Sequence, residues 1–279
     1  MSEVLSPAAL PADAAAWMGR LPQRHFTDAA GHAWAWRDNL RPAPAIVLLP
    51  GALGNGDMAF RMADGLSDAM RTLSITYPSG LPADVLAAGL AALLDHLALD
   101  TVAVWGSSYG AWWSQAFAAS HPERVTALWL GNMPLDGGAV AGHPLFAADW
   151  LERSTADDVA AAWQEALLRQ APTELRALQL WMLEHGLPAA ALRARLLQVA
   201  NAPVLPVPAG VERMAVADCE NDGVIAAAQR ERVHQRYPRA DHLRLPSGGH
   251  YPHVTRAPDV LAALRAWLDL SSPSQETER

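Results

Sequence analysis

The chain of 279 residues contains no lysine, so all 21 of its basic residues are arginine. Chemistry that needs a side-chain amine, such as a Schiff base with a carbonyl substrate or with pyridoxal, is therefore excluded. Cysteine is almost missing too: the single Cys219 forbids an internal disulfide and fits a reducing compartment. A buried thiol is the role expected of it. Positive charge is short, with 29 acidic residues and a formal net charge of -8. A nucleic acid or an anionic membrane would want a basic face, so neither is expected as a partner. No apolar run approaches the roughly 18 residues of a membrane span. Residues 1–19 lack the basic start of a secretory signal, and the expected location is cytoplasmic. Phe and Tyr number only 4 each, against 11 Trp.

What is present is enough apolar material, 51% of the residues, for a large core near the upper size of one α/β domain. Strands alternate with helices, the pattern of a mostly parallel sheet covered on both faces. Residues 31–37 alternate as an early antiparallel strand would, and 45–49, 71–77 and 125–130 read as sheet strands. Residues 83–97 read as an amphipathic helix. From 134 to about 202 the pattern changes to helical stretches at 157–170, 173–185 and 189–200, with no convincing strand. Residues 1–22 form either a short helix over the core or a loose segment, and the polar tail 271–279 reads as frayed.

The most informative stretch is Gly106-Ser107-Ser108-Tyr109-Gly110. It follows the β-branched run Thr101-Val102-Ala103-Val104-Trp105 and precedes helical spacing over 109–119. A G-x-S-x-G between strand and helix is the pattern of a nucleophile elbow, a turn so sharp that small residues must flank it. A hydroxyl needs a base to take its proton, and the base needs a carboxylate to hold its tautomer. Both have candidates downstream. Residues 211–217 read as a strand, followed by the acidic loop Asp218-Cys219-Glu220-Asn221-Asp222-Gly223-Val224-Ile225 entering a helix. The short strand His242-Leu243-Arg244-Leu245-Pro246 ends in Ser247-Gly248-Gly249-His250.

On these residues, with Leu48-Leu49-Pro50-Gly51 and His121-Pro122-Glu123-Arg124-Val125, the chain resembles the α/β-hydrolase superfamily over roughly residues 24–270. The resemblance implies an α/β fold, a mostly parallel twisted sheet flanked by helices with a small helical cap insertion. It divides the chain into an N-terminal segment 1–23, a core of 24–133 and 203–270, a cap 134–202 and a tail 271–279. It makes Ser108 the nucleophile, His250 the general base and acid, and Asp222 the orienting carboxylate. Asp222 is preferred to Asp218 and Glu220 because it directly precedes Gly-Val-Ile, as in relatives; Asp218 is the alternative. One oxyanion donor is expected at the N–H of Tyr109, at the positive end of its helix. The other is Ala52 if Pro50 stands where many relatives carry His, or Leu53 if the register slips by one. The Gly-rich loop lacks the Lys-Ser/Thr of a phosphate cradle.

A cap would make the pocket. Trp150, Trp163 and Trp181 fall in it, and Met133, Phe146, Leu180 and Met182 are candidates to join them, Trp181, Trp150 and Met133 foremost. Such walls favour a small molecule with an apolar or aromatic acyl group. Trp112 and Trp113 are adjacent on a helix, so at most one can approach the pocket. His253 follows His250 by three, yet no third ligand such as H-E-x-x-H accompanies it, and a surface or supporting histidine is expected. The expected enzyme is a monomer or homodimer without cofactor or metal. It cleaves a carboxylic ester, thioester or lactone through an acyl-enzyme. Carbon–carbon hydrolases, cofactor-free haloperoxidases, and cyclases or acyltransferases share the same three residues, and a binding protein that kept the fold is the non-catalytic alternative.

Overall fold

In the computed structural model, residues 10–270 are described; the tail 271–279 lies outside them, as do residues 1–9. The chain runs α1 (Ala12–Arg20), β1 (Arg24–Thr27), β2 (Ala33–Asp38), β3 (Ala45–Leu49), α2 (Phe60–Leu66), β4 (Arg71–Thr76), α3 (Ala83–His96), β5 (Val102–Ser107), α4 (Tyr109–Ser120) and β6 (Val125–Gly131). Then come α5 (Ala148–Arg153), α6 (Ala156–Leu168), α7 (Glu174–Trp181) and α8 (Ala189–Ala200) without an intervening strand. The sheet resumes with β7 (Met214–Cys219), α9 (Ala227–Arg236), β8 (Asp241–Leu245), α10 (Pro252–Thr255) and α11 (Ala257–Trp267).

Eight strands form one sheet in the order β1-β2-β4-β3-β5-β6-β7-β8. The pairs β1–β2 and β2–β4 are antiparallel and all the others parallel. The central strands are apolar throughout because both faces are covered. Val47 and Leu49 of β3, with Val102 and Val104 of β5, enter one core. Ile46, Leu48, Ala103 and Trp105 alternate into the other. The first core packs under α3 and α4; the second receives α1, α2 and α11. Trp17 of α1 is 1% exposed there, its ring centroid 6.4 Å from that of Phe60. The N-terminal segment thus supplies a docked helix.

One strand sits later than its pattern suggested. The expected strand 211–217 begins at Met214 and runs through Asp218 to Cys219, registered by Ala217↔Leu243 and Cys219↔Leu245. Asp218 therefore belongs to the strand, not to the acidic loop. Locally a carboxylate reads as loop. Here it is satisfied by His234 Nε2 at 2.6 Å and Arg244 Nε at 3.2 Å, partners supplied by α9 and β8.

Local rules also explain the inserted helices. Thr155 and Asp158 make a reciprocal capping box at the start of α6, satisfying two orphan backbone donors. Thr173 caps α7 by accepting the Arg176 N–H at 3.1 Å. The stretch expected as one helix at 173–185 is α-helical only to Trp181 and widens into a π-turn at Met182–Gly186.

Candidate active site

Ser108 ends the turn between β5 and α4 at φ 51° and ψ -119°. That is left-handed backbone for a residue with a side chain, a conformation costing about 1–3 kcal/mol and held only by its surroundings. The surroundings are specific. Ser108 N–H donates to the Gly131 carbonyl at 2.8 Å, and its own carbonyl accepts from Trp112 N–H at 2.9 Å. The flanking glycines are required by space. A Cβ on Gly106 would lie 2.5 Å from Ala111 Cα, and one on Gly110 would lie 2.2 Å from the Leu49 carbonyl oxygen.

The structure brings Ser108, His250 and Asp222 into one hydrogen-bonded line from three separate loops. Ser108 Oγ lies 2.8 Å from His250 Nε2, and His250 Nδ1 lies 2.9 Å from Asp222 Oδ2. The Asp222 side chain is fully enclosed. Burial opposes its ionisation, yet facing His250 and accepting hydrogen bonds hold its carboxyl well below the usual carboxylate range. Those bonds come from Val224 N–H at 2.8 Å and Ile225 N–H at 3.0 Å, both to Oδ1. The Gly-Val-Ile after Asp222 is thus an anchoring turn, and α9 begins only at Ala227. Asp218 bonds His234 and Arg244 instead.

Sequence reasoning passed over Asn132. It follows β6 at φ 45°, and its Nδ2 donates to Asp222 Oδ2 at 2.8 Å and to the Gly249 carbonyl at 3.3 Å. It ties the acid loop to the histidine loop. An Asn directly after a buried strand, where side-chain amides tolerate left-handed backbone, was the available signal.

Tyr109 stands at the first position of α4, where helical N–H groups lack intrahelical acceptors. The loop after β3 passes Ser108 closely, a Cβ on Gly51 lying 3.2 Å from Ser108 Cβ and 3.7 Å from its Oγ. Ala52 and Leu53 both line the cavity into which Ser108 and His250 open. The loop is anchored. Tyr77 Oη donates to the Pro50 carbonyl at 2.5 Å. Arg195 of α8, 1% exposed, bonds the Gly54 carbonyl, the Tyr77 carbonyl at 2.7 Å and Ser79 Oγ at 2.7 Å. Asn55 Nδ2 donates to the Gly186 carbonyl at 3.2 Å. The inserted helices and the loop after β3 are therefore one hydrogen-bonded assembly.

The cavity measures about 210 Å³. The turn at Pro144–Phe146 and helices α6 to α8 supply its apolar walls, among them Phe146, Trp163, Leu167, Leu175 and Leu196, with His143 and Gln179 as polar members. Five of the seven candidate pocket residues, Trp181, Trp150, Met133, Leu180 and Met182, are not among those lining it. Trp181 stacks on His185 at 5.2 Å and packs partly buried against the second core. Trp150 packs on the outside of the first core, and Met133 is buried within it. Trp112 and Trp113 do not line the cavity either. Trp113 is buried edge-on to Tyr77, and Trp112 bonds the Pro203 carbonyl at 3.0 Å.

His253 is not a surface residue. It is 3% exposed, lies edge-on to Trp105 at 5.2 Å, and burial, with a smaller contribution from His250, lowers its pKa to about 3. Among the described residues, no group of three or more His, Cys, Asp or Glu is placed to hold a metal ion. Cys219 is buried, and burial pushes its thiol up to about 11. Among the same residues, no helix is long and apolar enough to cross a membrane.

An eight-stranded sheet with a strand–serine–helix elbow at its centre defines a class, and residues 44–257 match the α/β hydrolase fold family. The chain belongs to that family. It is similar to maspardin from Danio rerio, 27% identical over 221 residues that cover 77% of this chain and 71% of the relative. Maspardin from Homo sapiens is 26% identical over 227 residues, with the same coverage. Among solved structures, a hydrolase from Pseudomonas aeruginosa superposes with a TM-score of 0.73 at 20% identity, covering 90% of this chain and 98% of the other. The enol-lactonase from Burkholderia xenovorans gives 0.73 at 18%, covering 88% and 100%.

Proposed function

We propose that this protein is a cofactor-independent serine hydrolase that cleaves a carboxylic ester, thioester or lactone through an acyl-enzyme. The observation that carries the reading is the line from Ser108 Oγ through His250 to Asp222, 2.8 and 2.9 Å long, opening into a walled cavity. Ser108 Oγ attacks the substrate carbonyl carbon while His250 Nε2 takes its proton. The ionised Asp222 holds the other ring nitrogen protonated and stabilises the imidazolium. The carbonyl oxygen, now an anion, receives hydrogen bonds from the Tyr109 N–H and from Ala52 or Leu53. His250 returns the proton to the leaving oxygen or sulfur, which departs. It then takes a proton from water as that water attacks the acyl carbon, and returns it to Ser108 Oγ as the acyl–Oγ bond breaks and the acid leaves. Segment 134–202 acts as the cap over this chemistry. A cavity of about 210 Å³, below the roughly 300–1,000 Å³ of larger ligand sites, supports a short acyl group.

A fluorophosphonate probe followed by intact-mass analysis tests the nucleophile. One adduct is expected, mapped to Ser108, and none on Ser108→Ala, which should also lose hydrolysis of short p-nitrophenyl esters. Labelling at Ser107, or undiminished hydrolysis by Ser108→Ala, overturns the reading.

A further inference from the structure

The proposed acyl transfer uses one imidazole, His250, but the same cavity holds a second, His143. His143 sits at the mouth of the short turn Pro144–Phe146 and caps it, its Nδ1 accepting the Leu145 N–H at 3.3 Å. An imidazole nitrogen that accepts is unprotonated, so the neutral ring carries its proton on Nε2. Aromatic contacts fix the ring. It stacks on Trp163 at 6.0 Å and 16°, and Phe146 meets it edge-on at 5.3 Å and 78°. Burial lowers its pKa, and the nearby His250 adds to the effect, so the ring is a neutral donor at pH 7. Nε2 makes no hydrogen bond to any described residue. His143 is thus part of the cavity wall beside Phe146, Trp163 and Leu196, with Gln170 and Gln179 among the other polar residues that line it.

We propose that His143 is a specificity-determining residue whose Nε2–H donates a hydrogen bond to an oxo oxygen carried by the acyl chain of the substrate. The preferred substrates are then oxoacyl esters or thioesters, not plain alkanoyl ones of equal length. This inference rests on Ser108 as nucleophile. Its physical basis is asymmetric. An alkanoyl chain filling the cavity would strip water from Nε2–H without replacing the bond, and a desolvated unpaired donor is penalised more than a paired one is rewarded. No bond is made or broken at His143; its role is recognition.

The test compares p-nitrophenyl pentanoate with 4-oxopentanoate, and hexanoate with 5-oxohexanoate, on the full chain. Wild type should favour an oxo member by about 10- to 100-fold in kcat/KM, the range expected for one buried hydrogen bond. His143→Phe, which keeps a stacking ring but no donor, should bring that ratio close to one. His143→Gln, whose amide offers an N–H near the place of Nε2, should restore a clear part of it. Fluorophosphonate labelling of Ser108 in each variant separates a lost preference from a lost fold. A wild-type ratio near one in both pairs, or a ratio unchanged in His143→Phe, overturns the role of His143 and leaves the hydrolase reading standing. Failure of wild type to react with every ester and with the probe removes the hydrolase reading, and this inference with it.

Discussion

Asp222 accepts from His250, Asn132 and two backbone N–H groups inside a fully enclosed pocket, so its charge is fixed by several donors and used through one. Asp222→Asn leaves the shape and removes the anion that stabilises the imidazolium. Turnover of a short ester should fall by about 10⁴, the loss seen when a buried triad carboxylate is amidated. Asn132→Ala removes one donor and leaves the anion. Turnover should then fall only about tenfold, in line with a single hydrogen bond to a charged group. Asp218→Asn loosens a structural pairing with His234 and Arg244 and should lower melting temperature more than turnover. If Asp218→Asn were as inactive as Asp222→Asn, the assignment of the acid would be wrong.

The inserted helices do two different jobs at the level of elements, and two tryptophans separate them. Trp163 of α6 faces the cavity, whereas Trp181 at the end of α7 stacks on His185 and packs against the second core. Trp163→Ala should shift the kcat/KM ratio of longer to shorter acyl esters by roughly 1–3 kcal/mol towards bulk. Trp181→Ala should cost about 2 kcal/mol of stability, less than a fully buried indole, with that ratio unchanged. Parallel melting curves and ester ratios tell the two apart. Arg195 joins α8 to the loops carrying Gly54 and Tyr77, and so ties the inserted helices to the wall beside Ser108. Arg195→Met leaves two buried carbonyls short of a donor, at about 1–3 kcal/mol each. Urea midpoints should fall accordingly, and kcat should drop because the loop holding Ala52 and Leu53 loses its brace. Unaltered kcat in a destabilised variant would show the brace to be purely structural.

For the whole molecule, acid should be destabilising in a predictable order. His253 is buried neutral with its pKa lowered to about 3, whereas an unfolded histidine takes a proton near 6.5. Between those values the unfolded chain binds one more proton than the native one, so stability falls as pH falls, by about 1.4 kcal/mol per unit. Asp222 acts in the same direction lower down: its contribution is complete above about 3.8, the ordinary carboxylate value, and is lost as pH falls through its depressed native pKa. Unfolding free energies from urea titrations at pH 7.5 and 5.0 should therefore differ by about 2 kcal/mol more in wild type than in His253→Phe. Equal pH slopes in the two proteins would mean that His253 is not held neutral.

The sequence by itself determined what short-range physics constrains. The apolar runs at 45–49 and 101–105, which become β3 and most of β5, follow from burial on both faces, and Gly106 and Gly110 follow from a turn too tight for a Cβ. Ser108, Asp222 and His250 are legible as candidates because each follows a strand pattern, where loops carry chemistry, and the structure joins them by hydrogen bonds. The tertiary structure decided what depends on direction and distant partners. β7 runs on through Asp218 because that side chain pairs with His234 and Arg244, which lie outside any local window. Asn132 reaches a carboxylate 90 residues away, and Arg195 a carbonyl 141 residues away. Which indole faces the cavity, Trp163 and not Trp181, depends on how α6 and α7 are rotated over the sheet. That rotation is set by packing across the whole core, and composition and spacing record that an indole is present but not which way it points.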